Sequence, residues 1–141
     1  MKKMLPMVLI GAVSFMFTGC GKSAVSCDDR EAKELVMEIS ELEIKNSLVR
    51  MKNMYASYQR WQQLAEEGEI DIQNALAEID KQYQEAAPKL INIRTKSKDD
   101  KLQLTECSAN IGFANGNNHP IDYTLSVTSD NRLYVEVFGL N

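Results

Sequence analysis

Ile91-Asn92-Ile93-Arg94-Thr95-Lys96, then Ile121-Asp122-Tyr123-Thr124-Leu125-Ser126-Val127-Thr128 and Leu133-Tyr134-Val135-Glu136-Val137-Phe138, alternate two parities of side chain along the second half of the chain. Successive side chains of a strand point to opposite faces, so a period of two predicts strands with one apolar and one largely polar face. Between the first two runs, Leu102 and Leu104 sit on one parity and Cys107, Ala109, Ile111 and Phe113 on the other. That switch predicts a strand with a bulge near Thr105-Glu106. Turn-forming residues fill the gaps at Ser97 to Asp100, Asn115-Gly116-Asn117-Asn118 and Ser129-Asp130-Asn131. The stretch from about 89 to 139 therefore reads as a four-stranded antiparallel meander.

Upstream of Pro88 the period lengthens to that of helices. Asp28 with Glu31 three positions on predicts a capped helix start, with Leu35, Val36, Ile39 and Leu42 as its apolar stripe. Ile44, Leu48, Met51, Tyr55 and Tyr58 then recur at helical spacing on a different side of the cylinder. Ser40-Glu41-Leu42-Glu43 reads as a second capping box. The first helix thus breaks or kinks near Ser40, or continues unbroken between two apolar surfaces. The second helix runs to about Glu67, where Gly68 suits the left-handed position that ends a helix. Ile72, Leu76, Ile79, Tyr83 and Ala86 mark a third helix from about Asp71, stopped by Pro88, and the short link makes a helical hairpin. Helices over about 28–87 followed by a sheet over about 89–139 form an α+β domain, 28–141, with the helices expected across one sheet face. This order is similar in architecture to cystatin-like and NTF2-like folds.

The chain opens Met1-Lys2-Lys3, followed by an uncharged, mostly apolar run from Met4 to Phe17 and then Thr18-Gly19-Cys20. A cationic start and an apolar stretch of this length read as a secretory signal, too short for a permanent membrane span. Phe17-Thr18-Gly19-Cys20 resembles the lipobox of bacterial lipoproteins, departing from it by Phe in place of the preferred Leu. The resemblance implies removal of residues 1–19 by a type II signal peptidase, cutting between Gly19 and Cys20. It further implies a diacylglycerol thioether and an N-acyl chain on Cys20, with 20–27 as a short tether. Several acyl chains hold a protein stably where one does not. Gly21 in place of Asp after the lipidated residue implies the outer membrane, with the domain on its periplasmic face. The mature part also resembles small Gram-negative lipoproteins of uncharacterised role, which carries no function with it.

Loss of Lys2 and Lys3 with the signal leaves fourteen basic residues of sixteen against twenty acidic ones, so the net charge falls from −4 to −6. An acidic domain has no electrostatic case for nucleic acid. With Cys20 assigned to lipid, Cys27 and Cys107 remain, and in an oxidising envelope compartment they form a disulfide or else stay as two buried thiols. Closing the long loop between them would stabilise the fold by roughly 4 kcal/mol in the chain-entropy view, and it would staple the helices to the second strand.

Little chemistry is legible. His119 is the single histidine and sits beside Asn118 and Pro120, where a solvated surface role is expected. No nucleophile elbow is present, and with Cys20 acylated and Cys107 oxidised no thiol is left as a nucleophile. Glu66, Glu67, Glu69 and Asp71 are expected to complement the dipole of the third helix rather than bind a metal. Arg94, Lys96, Lys98 and Lys101 suit an exposed strand that resists edge pairing, or contact with lipid phosphates or an acidic partner. Met51, Tyr55 and Tyr58 are expected in the core, whereas Met54 and Trp61 lie off the stripe and are candidates for an exposed contact surface, as are Tyr134 and Phe138. The expected function is non-enzymatic, with no cofactor beyond the acyl chains: binding another envelope protein in an assembly, immunity or exclusion role. The alternative is a carrier holding a small ligand or lipid between helices and sheet.

Overall fold

Asp29, one residue later than the sequence suggests, caps the first helix by accepting the Ala32 N–H at 3.1 Å. Asp28 instead accepts the Ser26 hydroxyl. The computed structural model describes residues 23–140, so the expected signal segment 1–19, the Gly19–Cys20 cleavage point and Cys20 lie outside the described residues. Helix α1 runs unbroken over Arg30–Lys52. Ser40 starts no second helix: its Oγ donates to the Val36 carbonyl at 2.7 Å, which satisfies the hydroxyl within the helix and leaves the residue buried. The continuous alternative is the one observed, and the break falls at residues 53–57. Helices α2, Tyr58–Glu66, and α3, Ile70–Ala86, follow as the expected hairpin, with Gly68 at φ +100° in the link.

The sheet is a four-stranded meander in sequential order: β1, Lys89–Asp99; β2, Leu104–Gly112; β3, Asn118–Val127; β4, Leu133–Phe138. Ser97 to Asp99 belong to β1, so the turn falls later than expected, at residues 100–103. The bulge is also moved. Strand β2 alternates regularly from Thr105 to Ile111, while β1 carries register shifts between Ile91 and Arg94 and between Thr95 and Ser97. Asn92 adopts φ +54° in the first of them. This shift lets Leu90 and Ile93 both pack on the core although their parities differ. Leu102, expected on β2, lies in the turn.

Two separate cores follow. The first packs Ala32 and Val36 of α1 on Cys107, Ala109, Ile111, Ile121, Tyr123 and Leu125, with Ile44 at its margin. The second joins Val49 of α1 to Tyr58, Trp61, Leu76 and Ile79 of the hairpin. The expectation that all helices cover the sheet is therefore corrected: α1 supplies the helical side of the first core, and the hairpin packs on the C-terminal turns of α1. Of the first stripe on α1 only Val36 is buried in the sheet core, which Ile44 of the second stripe also joins, while Leu48 packs on the hairpin core. A disulfide joins Cys27 to Cys107, Cα to Cα 5.8 Å, and the Tyr123 hydroxyl donates to the Cys27 carbonyl at 2.7 Å.

Candidate functional site

Helix α1 advances in the same sense as β4, with Leu35 beside Leu133 and with Ile39 and Leu42 beside Val137. One pole of the molecule thus holds the start of α1, the β1–β2 turn and the β3–β4 turn. Its 23 residues carry the chain about 34 Å away at 1.5 Å per residue, to a sharp corner. Asn53 builds that corner. Its N–H donates to Val49, its carbonyl accepts from Ala56, and its side-chain oxygen accepts the Tyr55 N–H at 3.1 Å. Asn46 then receives the Tyr58 N–H at 2.8 Å, and Ser57 caps α2.

This geometry turns Met51, Met54 and Tyr55 outward, with 83%, 72% and 94% of their surfaces exposed. Of the stripe expected to be buried here, only Tyr58 goes in. Once the helix ends at Lys52, Tyr55 no longer lies one turn from Met51. Trp61 is corrected in the opposite sense, since it is only 7% exposed and sits in the second core. It faces inward because α2 starts anew at Tyr58 with its own phase. Met54 is where the sequence reading placed it. Tyr134 and Phe138 also stand exposed on the outer face of β4, with the Tyr134 hydroxyl donating to Glu136. Met51 and Tyr55 were missed as surface residues; the signal for them was Asn53 followed by the Ser57 cap.

Beneath the corner a polar cluster joins the three helices. Lys45 Nζ lies 2.7 Å from Glu41 and 2.8 Å from Asp80, and 5.1 Å from the ring centroids of both Tyr58 and Tyr83. The Tyr58 hydroxyl donates to Asp80 at 2.8 Å. Burial disfavours the Lys45 ammonium, but its hydrogen bonds with Asp80 and Glu41 prevail and hold its pKa above the ordinary value. Burial likewise opposes the Asp80 carboxylate, and the Lys45 and Tyr58 hydrogen bonds bring its pKa below the ordinary range. Such a permanently charged amine is a cross-brace and a poor nucleophile.

Lys45 and Tyr58 also line an open groove of about 590 Å³ together with Leu35, Ile39 and Leu42. This groove lies between α1 and α2; between α1 and the sheet, clefts of about 510 Å³ beside Leu35 and Leu133 and about 360 Å³ beside Ile39 and Val137 border the first core. His119 belongs to β3 and pairs through Nε2 with the Gly139 carbonyl. Glu66, Glu67, Glu69 and Asp71 are exposed near the hairpin tip, and no metal-holding group of three or more His, Cys, Asp or Glu occurs among the described residues. Lys96 reaches Asp122 at 3.4 Å and Lys98 reaches Asp100 at 3.9 Å, while Arg94 flanks Asp122 and Phe138 on the outer sheet face. No helix among the described residues is long and apolar enough to cross a membrane. No protein-family model matches the chain, and neither a curated protein nor a solved structure matches it.

Proposed function

We propose that this chain is a non-enzymatic lipoprotein of the bacterial cell envelope, held to a membrane through Cys20, that binds another envelope protein at the Met51-Met54-Tyr55 corner. The observation carrying this reading is that corner: Met51 at the end of α1 and Met54 and Tyr55 in the turn that follows are all largely exposed. Exposed hydrophobic surface of this kind is what partner recognition uses. The disulfide between Cys27 and Cys107 supports an oxidising compartment. The lipobox-like Phe17-Thr18-Gly19-Cys20 supports the anchor, and Gly21 supports the outer membrane and its periplasmic face. Assembly, immunity and exclusion roles all accord with such an arrangement.

The full chain carrying a photo-crosslinking residue at Tyr55 is expected to yield one protein adduct in intact cells. That adduct should disappear in Met54→Asp and should not form when the crosslinker stands at Gln84. Membrane-bound protein that gives no discrete adduct overturns the partner reading. Membrane fractionation unchanged by Cys20→Ser overturns the anchor. A carrier role is the second reading, favoured by the apolar side of the groove at Leu35, Ile39 and Leu42. Native mass spectrometry of the unlipidated domain would then show a retained lipid or other ligand.

A further inference from the structure

We infer that the pole formed by the β1–β2 turn is the membrane-facing end of the domain, with Leu102 seated at the lipid headgroup level and the Met51–Tyr55 corner held away from the bilayer. The inference rests on the proposed acylation of Cys20 and adds an orientation to it.

Two features of the chain carry it. First, the tether is pinned almost as soon as it begins. The Ala24 N–H donates to Asp100 in the β1–β2 turn at 2.8 Å, and Ala24 is buried. The Thr105 hydroxyl, at the start of β2, donates to the Val25 carbonyl at 2.7 Å. Cys27 is bonded to Cys107. Four residue steps separate Ala24 from Cys20, which at full extension is about 14 Å. An acyl group on Cys20 therefore cannot travel far from this turn, and the bilayer surface lies within the same distance.

Second, the turn offers lipid an apolar side chain. Leu102 is 69% exposed at the tip. The nearby acids are engaged: Asp99 accepts the Lys101 and Leu102 N–H groups, and Asp100 accepts Ala24 and lies 3.9 Å from Lys98. Lys101 is exposed beside Leu102 and suits phosphate headgroups. The β3–β4 turn, with exposed Arg132, shares this pole. Helix α1 starts at the pole and places the corner about 34 Å along its axis.

The test uses the lipidated full chain in vesicles of phosphatidylethanolamine with a minor fraction of phosphatidylglycerol. An environment-sensitive dye is attached at Leu102→Cys or, separately, at Met54→Cys. The dye at position 102 is expected to be blue-shifted, quenched by brominated lipid, and about threefold less open to iodide than the dye at 54. Flotation with the vesicles while both dyes remain equally aqueous overturns the orientation and leaves the anchor standing. A dye at 54 in lipid with 102 in water overturns it too. Failure to float with the vesicles overturns the anchor, and the orientation with it. Lys101→Glu combined with Leu102→Asp supplies the folded control: far-UV circular dichroism should be unchanged, and a dye at Gln103→Cys should become more exposed to iodide than in the parent. Unchanged quenching there counts against the proposal.

Discussion

Tyr123 shows how much one side chain contributes at the junction of tether, helix and sheet. Its ring is fully buried in the first core and its hydroxyl holds the Cys27 carbonyl. Burial, with the Asp28 charge second, pushes its pKa from 10.0 up to about 12. Below the unfolded value both states are neutral and its contribution is complete. As the pH rises above it the unfolded chain ionises first, so stability is lost progressively, on the order of 2 kcal/mol once the folded value is passed. Tyr58 and Tyr83 are raised by burial as well and act in the same direction. Tyr123→Phe should cost about 1 kcal/mol at neutral pH for the lost hydrogen bond. It should also lose less stability than the parent between about pH 9 and about pH 11, by urea unfolding. Equal alkaline losses in both proteins would show that Tyr123 is not the titrating group. The burial of Tyr123 is readable from alternation in β3; its partner, a backbone carbonyl 96 residues away, is not.

Strand β1 and helix α1 are the elements whose local signals needed the partner to be read. The parity of Ile91, Ile93 and Thr95 suggests a regular strand, yet Asn92 at φ +54° puts Leu90 on the core and leaves Ile91 beside Gly112. Asparagine tolerates that left-handed backbone and a β-branched residue does not. Asn92→Val should therefore lower stability by about 1–2 kcal/mol, with Asn92→Gly close to the parent in thermal unfolding. A valine variant as stable as the parent would mean that the bulge relaxes into a regular ladder. In α1 the two stripes are plain in the sequence, but a serine with two acids behind it suits a cap and a helix interior alike. Only the sheet on one side and the hairpin on the other make the unbroken helix the better solution.

At the scale of the whole molecule, the division into two cores sets the order of unfolding. The disulfide closes a separation of 80 residues and ties the tether to the sheet, whereas the hairpin core has no covalent brace. Reduction should lower stability by roughly 4 kcal/mol, falling on the helix–sheet core. In the oxidised protein the single tryptophan, Trp61, lies in the second core and reports on it directly. Its fluorescence transition in urea is expected at lower denaturant than the loss of amide protection in β2 and β3. Coincident transitions would show that α1 couples the two cores into one cooperative unit. That separation also suits the proposed orientation, with a braced pole near the membrane and a looser helical end toward a partner.

From residues alone came the α+β class, the hairpin, the order and parity of β3 and β4, and the pairing of Cys27 with Cys107 as one of two states. These follow from periodicity, from turn chemistry and from the number of cysteines, all local or countable properties. The tertiary structure decided where α1 ends, which strand carries the bulge, that Trp61 is inside and that Met51 and Tyr55 are outside. Periodicity says which residues share a face; what that face meets depends on contacts distant in sequence, and helix phase restarts at every break.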